Sequence, residues 1–436
     1  MPQPLTTRRI LSTWWPLAAS WLLMAVELPV LSAVVARLAD PTVHLAAYGG
    51  VVFPLALIVE SPIIMLLAAS TALSRDRLSY ARLRRFTHAA GAGLTALHVL
   101  VAFTPLYDAI AAGLLGAPPE VLEPARLGLR VMTPWTWSIA YRRFNQGVLI
   151  RFGHSRAVGL GTAVRLAADV TVLSFGALLG APGILVATSA VACGVMSEAL
   201  YTRLRVGPVL SSQMPASSSS PPLTLHAFLR FYAPLAMTPL LELLMEPIGA
   251  AAMARMPGAL ESLATWPVLF GTVWMSMALG VGFQEVVVAL IGEPGGPRQL
   301  RRFALGLAAV TALPLLLAAA TPLSGIWFGS AAGLPPELSG LARSALWLAP
   351  PLPALVVAHS WFQGRLVESR RTRAIPEALA LFLATACAVA LAGVWWGRIT
   401  GLYVALAAIA LGAGAQALWL RHRARALPLE TGAVTA

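Results

Sequence analysis

No lysine occurs anywhere in this chain of 436 residues, so all 31 of its strongly basic side chains are arginines. Charge of either sign is scarce. Only 11% of the residues are charged, whereas a soluble globular chain carries about 25%. That shortage excludes an ordinary water-facing surface. Cysteine is nearly absent too: Cys193 and Cys387 stand in different halves, each inside an apolar run. They exclude a disulfide framework and a cysteine metal site, and read as small packing residues. No phosphate loop, metal-binding helix motif or nucleophile elbow occurs, so neither an enzyme nor a bound cofactor is expected.

What the chain has in abundance is apolar sequence, at 58% of residues and a mean hydropathy of +0.76. Runs of roughly 20 apolar residues span a bilayer. They fall near 13–36, 46–71, 86–106, 127–150, 157–179 and 183–202, and again near 227–254, 263–291, 303–327, 337–362, 374–396 and 402–420. The expectation is an all-α polytopic membrane protein of twelve helices, six in each half. The lipid bilayer is its first partner, and a monomer is expected.

The two halves are copies set 217–218 positions apart. Leu83-Arg84-Arg85-Phe86 returns as Leu300-Arg301-Arg302-Phe303, Thr104-Pro105-Leu106 as Thr321-Pro322-Leu323, and Gln146-Gly147 as Gln363-Gly364. Pro29 matches Pro247, and Glu198-Ala199-Leu200 matches Gln416-Ala417-Leu418. An even helix number per copy makes the repeat parallel. The expected domains are an N-lobe at 1–205, a Ser/Pro-rich linker at 206–225, a C-lobe at 226–424 and a tail at 425–436. Arg8-Arg9 before an apolar run imitates a leader peptide, but the run has a counterpart inside the chain at 231–255, so it is expected to be the first structural helix.

The net charge of +13 would suggest nucleic acid in a soluble chain. Here it marks topology. With both termini in the cytoplasm, about 24 arginines lie on the inner side, among them those between Arg75 and Arg85 and between Arg365 and Arg373. No nucleic-acid partner is expected, and a bacterial inner membrane is the expected location.

The duplication also filters the charges. Residues shared by both copies are explained by the fold; a charge at bilayer depth in one copy is not, and costs about 2.5–3.5 kcal/mol. The candidates for binding a coupling ion are Glu27, Glu60, Asp169, Glu242 and Glu246, with Glu285 further along helix 8. Arg165 and Asp169, four apart, share a helix face. Either they neutralise each other for passage through the bilayer, or Asp169 exchanges a proton or cation while Arg165 meets substrate. Glu242 and Glu246 are spaced alike and could share a cation. Arg165, Arg130, His359 and Trp137 are the candidate substrate contacts, with Arg130, Arg142 and Arg143 also readable as snorkelling interfacial side chains. His359 is equally readable as a packed histidine.

Six plus six helices, helices 1 and 7 carrying Pro-Leu-Ala (Pro16–Ala18, Pro234–Ala236), and the loop Ser74-Arg75-Asp76-Arg77 before Ala81-Arg82 resemble the multidrug/oligosaccharidyl-lipid/polysaccharide (MOP) superfamily. The 2–3 loop and the segment from Phe144-Asn145-Gln146-Gly147 to Arg156 look like the multidrug and toxic compound extrusion (MATE) branch. Ala46-Ala47-Tyr48-Gly49 and 231–247 look more like the progressive-ankylosis (ANK) branch, which exports organic anions. The resemblance implies two lobes around a central cavity and an antiporter driven by H+ or Na+, moving small organic solutes (organic anions or amphiphilic drugs, as in multidrug efflux) outward. It implies an ion site on helices 1 and 5, where Glu27 and Asp169 stand, and a helix 7 acid, where Glu242 stands. Glu27 lies about one turn early for that pattern, and His359 replaces an acid found in some members. A lipid-linked sugar flippase is the alternative within the superfamily. A major facilitator carrier is the alternative outside it, though Ser79 and Ala81 stand where its 2–3 loop expects glycine.

Overall fold

The computed structural model describes residues 5–216, 223–371 and 373–425. Among the described residues, helices are joined by short turns and no strand occurs. Twelve long helices follow the sequence: α1 Thr7–Val35, α2 Pro41–Leu73, α3 Arg77–Phe103, α4 (Pro119–Val131 and Thr133–Arg151), α5 Ser155–Leu178, α6 Gly183–Ser212, α7 Leu225–Met253, α8 Ala259–Leu290, α9 Gly296–Ala320, α10 (Pro336–Leu348 and Pro351–Glu368), α11 Ala374–Trp396 and α12 Gly401–Ala424. Ten of them are long and apolar enough to cross a membrane, or eleven if the α10 pair, bent by 43°, is one span. The remaining one is α4, whose Arg130, Arg142, Arg143 and Arg151 lower its hydropathy. It can be polar because it is wrapped by α2, α3 and α6 rather than by lipid. α6 runs on to Ser212, so the expected linker begins as helix. Its residues 217–222, and the tail beyond Arg425, lie outside the described residues.

The repeat is realised at the level of backbone. After α3 and after α9, Thr-Pro caps a short helical turn that widens into a π-turn, Ala109–Leu114 in one copy and Ile326–Ala331 in the other. Gly116 and Gly333, with φ of 70° and 71°, end these two turns. The Gln-Gly match has a steric origin. A Cβ on Gly147 would lie 2.4 Å from the Leu67 carbonyl oxygen of α2, and one on Gly364 would lie 2.6 Å from Val287 Cβ of α8. Only glycine lets each central helix, α4 or α10, approach its neighbour so closely.

Proline sets the breaks in α1 and α7. Pro29 has no N–H for the Ala25 carbonyl and Pro247 none for that of Leu243, and the regular helices stop at Ala25 and Leu243. Glu27 and Glu246 follow directly, in the first turns of the resumed helices.

Two compact units result: residues 34–254, and residues 1–33 together with 255–436. This boundary departs from the expected lobes at 1–205 and 226–424. Most of α1 packs within the second copy, and α7 packs within the first. Trp14 donates Nε1–H to the Leu279 carbonyl at 3.0 Å and meets Phe303 edge-on, centroids 5.8 Å apart. In the other unit Tyr232 donates its hydroxyl to the Pro62 carbonyl and meets Phe86 edge-on at 5.5 Å. Trp14 and Tyr232, Leu279 and Pro62, and Phe303 and Phe86 are repeat equivalents, so one exchange is made twice. Leu5, Ile10, Trp14 and Ala18 complete a core with Phe283, Val287, Leu300 and Trp361. In lipid such association rests on close packing and hydrogen bonds rather than on escape from water.

Candidate functional site

Charge converges at one place inside the unit formed by residues 34–254. Glu198, on the inner face of α6, has no exposed surface at all. Arg142 of α4, 5% exposed, donates Nη1–H to Glu198 Oε2. Gln146, one turn further along α4, donates to Glu198 Oε1 at 2.8 Å. Arg165 of α5 approaches the same oxygen as Arg142, its Nε 3.7 Å from Glu198 Oε2. A single carboxylate thereby ties three helices together. Without these donors the buried charge would cost several kcal/mol.

Asp169 is one turn along α5 from Arg165 and is 4% exposed. Its carboxylate lies directly over Gly194 of α6: a Cβ built on Gly194 would fall 1.7 Å from Asp169 Oδ1 and 3.0 Å from Arg165 Cγ. The glycine is thus the space into which the Arg165–Asp169 pair folds. Glu60, on α2 and 5% exposed, joins the set electrostatically through Arg143, which also interacts with Glu198. Arg142, Arg143 and Arg165 thus lie in the same region as Glu60, Asp169 and Glu198, three positive side chains beside three acidic ones. Asn145, between Arg143 and Gln146, is fully buried with neither side-chain atom hydrogen-bonded.

The structure therefore brings Arg165, Asp169 and Glu60 into one network. The other candidates lie elsewhere. Glu242 is exposed on α7, and Glu246 is half-buried beyond the helix break. Arg130 is exposed; it donates to the Ala102 carbonyl at 3.1 Å and lies 5.1 Å over the Phe103 ring, an anchoring arrangement at the end of α3. Trp137 stacks on His88 at 5.1 Å. Glu27 and His359 belong to the other unit, where His359 Nε2 pairs with the Ala413 carbonyl at 2.9 Å.

Sequence reasoning missed the centre of the site. Glu198 is visible there only as one residue of the repeat match, and Arg142 and Arg143 read as interfacial. The signal was available: Gln416 stands opposite Glu198 and His359 opposite Arg142, so both are charges confined to one copy. Only the packed helices show that Glu198 is turned inward, with no exposed surface.

No family profile matches the sequence, and no curated protein matches it. Solved structures do. An inward-facing multidrug-resistance MATE transporter of the MOP superfamily superimposes with a TM-score of 0.68 at 15% identity, covering 95% of this chain and 100% of that one. A mutant form of the Vibrio cholerae MATE transporter VcmN gives 0.65 at 19% identity, covering 97% and 98%. A MOP superfamily transporter from Pyrococcus furiosus, described by the reverse polarity of its binding pocket, gives 0.59 at 16%, covering 98% and 99%. The likeness runs the length of the chain, and the fold is that of the MATE transporters of the MOP superfamily.

Proposed function

We propose that this protein is a secondary active exporter of small organic solutes, working by alternating access and coupled to H+ or Na+. The fold supports transport, since its solved relatives are transporters caught in inward-facing and outward-facing states. The observation that carries the coupling is the network of Arg142, Arg143 and Arg165 with Glu60, Asp169 and Glu198, present in one copy of the repeat only. At the places equivalent to Arg142, Arg143, Arg165, Asp169 and Glu198, the other copy has His359, Ser360, Phe382, Ala386 and Gln416.

A proton or Na+ taken up by Asp169 or Glu198 leaves the network one positive charge in excess. Arg165 then loses part of its hold between α5 and α6, and the packing of those helices shifts. A membrane potential contributes about 2.3 kcal/mol per charge per 100 mV to such an uptake. Glu27, at the helix break before Pro29, is a further acid placed where the two parts of α1 can change their angle. The arginine distribution favours cytoplasmic termini and an inner-membrane location.

The test is solute flux in proteoliposomes under imposed proton or sodium gradients. Asp169→Asn and Glu198→Gln are expected to lower gradient-driven transport at least about tenfold, the effect of losing roughly one charge-assisted contact. Downhill exchange of the same solute should persist. Unchanged gradient dependence in both variants would refute the coupling role.

A further inference from the structure

The unit containing the second copy holds an arginine-lined groove of about 890 Å³ between α9, α10 and α12. Arg301, Arg365, Arg421 and Arg425 line one part of it, and among the described residues no carboxylate lines any of it. The rest is apolar, with Leu305 and Leu418 each 66% exposed at its edge. Arg365 is 7% exposed and lies 5.6 Å over the Trp361 ring, which holds a guanidinium in an otherwise apolar wall.

The first copy shows that this groove is not a by-product of the fold. Where the second copy has Leu305, Ala354 and Ala358, the first has His88, Trp137 and Tyr141. Those three rings stack, His88 with Trp137 at 5.1 Å and with Tyr141 at 5.7 Å, and they occupy the corresponding space. Two alanines in place of two aromatics open it. The same copy adds charge: Arg365 stands where the first has Val148, and Arg425 where it has Gly207. Enlargement and added positive charge coincide at one place.

We infer that the groove binds an anionic phospholipid, its phosphate held by Arg301, Arg421 and Arg425 and its chains lying along Leu305, Trp361 and Leu418. Guanidinium matches phosphate in geometry as well as charge, and basic pockets between membrane helices suit acidic headgroups. An apolar wall beside the arginines favours a lipid over a free anion, because a free anion would leave that wall uncovered. This inference does not depend on the transport reading, and its test needs no transport.

The experiment is native mass spectrometry of the full-length protein in neutral detergent, titrated with phosphatidylglycerol, phosphatidylcholine or inorganic phosphate. Phosphatidylglycerol should bind in preference to phosphatidylcholine, and millimolar phosphate should not displace it. Arg301→Gln/Arg421→Gln/Arg425→Gln, all on exposed side chains, should weaken binding roughly a hundredfold, at about fivefold per arginine. Ala354→Trp/Ala358→Tyr, which restores the first copy's plug, should abolish it with the arginines intact. Equal binding of the two lipids, or phosphatidylglycerol binding that survives the triple arginine variant, would overturn the proposal. Displacement by phosphate would also overturn it, leaving an anion pocket in place of a lipid site.

Discussion

The two copies of the repeat share a backbone and differ in what they bury. In the first, the space between the fourth, fifth and sixth helices holds Glu198, Arg142, Arg165 and Asp169. In the second, the equivalent positions are Gln416, His359, Phe382 and Ala386. The scaffold alone requires no charge there, since one copy is built without it. The difference teaches that one scaffold can be given a charged interior in one copy and an arginine-lined groove in the other.

The strongest way to break this comparison is to remove the acid at its centre. Glu198→Ala leaves Arg142 and Arg165 buried beside no carboxylate of α6, and should destabilise the protein by about 3–5 kcal/mol. Gln416→Ala at the equivalent place should cost no more than about 0.5–1.5 kcal/mol. Thermal unfolding in micelles reads both, and equal losses would remove the asymmetry on which the site rests.

Gly147→Ala and Gly364→Ala test what the copies share. Each puts a methyl group within 2.4–2.6 Å of the neighbouring helix, so each should cost about 1–3 kcal/mol, and the two losses should be similar. Gly194→Ala sharpens the contrast. Its methyl group collides with the Asp169 carboxylate, at about the same cost. Asp169→Ala in the same chain removes the collision and should recover most of the loss, a non-additivity that a double-mutant cycle measures. An effect as small as that of Gln416→Ala is expected from His359→Ala, which loses one hydrogen bond to the Ala413 carbonyl, about 0.5–1.5 kcal/mol in the same unfolding assay. A larger loss would give His359 a role beyond packing.

Much of the fold is legible in the residues alone. The apolar runs locate the helices, and Pro29 and Pro247 mark the breaks that α1 and α7 show. Gly147 and Gly364 can be recognised as equivalent, though not why each must be glycine, because the Leu67 carbonyl and Val287 that crowd them lie far away in sequence. Of the site, the Arg165–Asp169 pair is legible because both residues lie on one helix four positions apart. Its connection to Glu198 is not, because that contact joins α5 to α6 and depends on how the two helices are rotated.

By itself, the sequence determined that this is a duplicated, all-helical membrane protein and which charges belong to one copy only. These are properties of composition and of local spacing, and they survive without knowledge of any contact. Tertiary structure alone decided that the start of α1 packs with the second copy and α7 with the first. Because the copies are alike, Trp14 and Tyr232 each have an equivalent acceptor and an equivalent ring in either copy, and only the packed chain selects between them. It alone turned Glu198 inward to collect Arg142, Gln146 and Arg165, since burial of a charge depends on which neighbours surround it and not on the residues beside it in the chain.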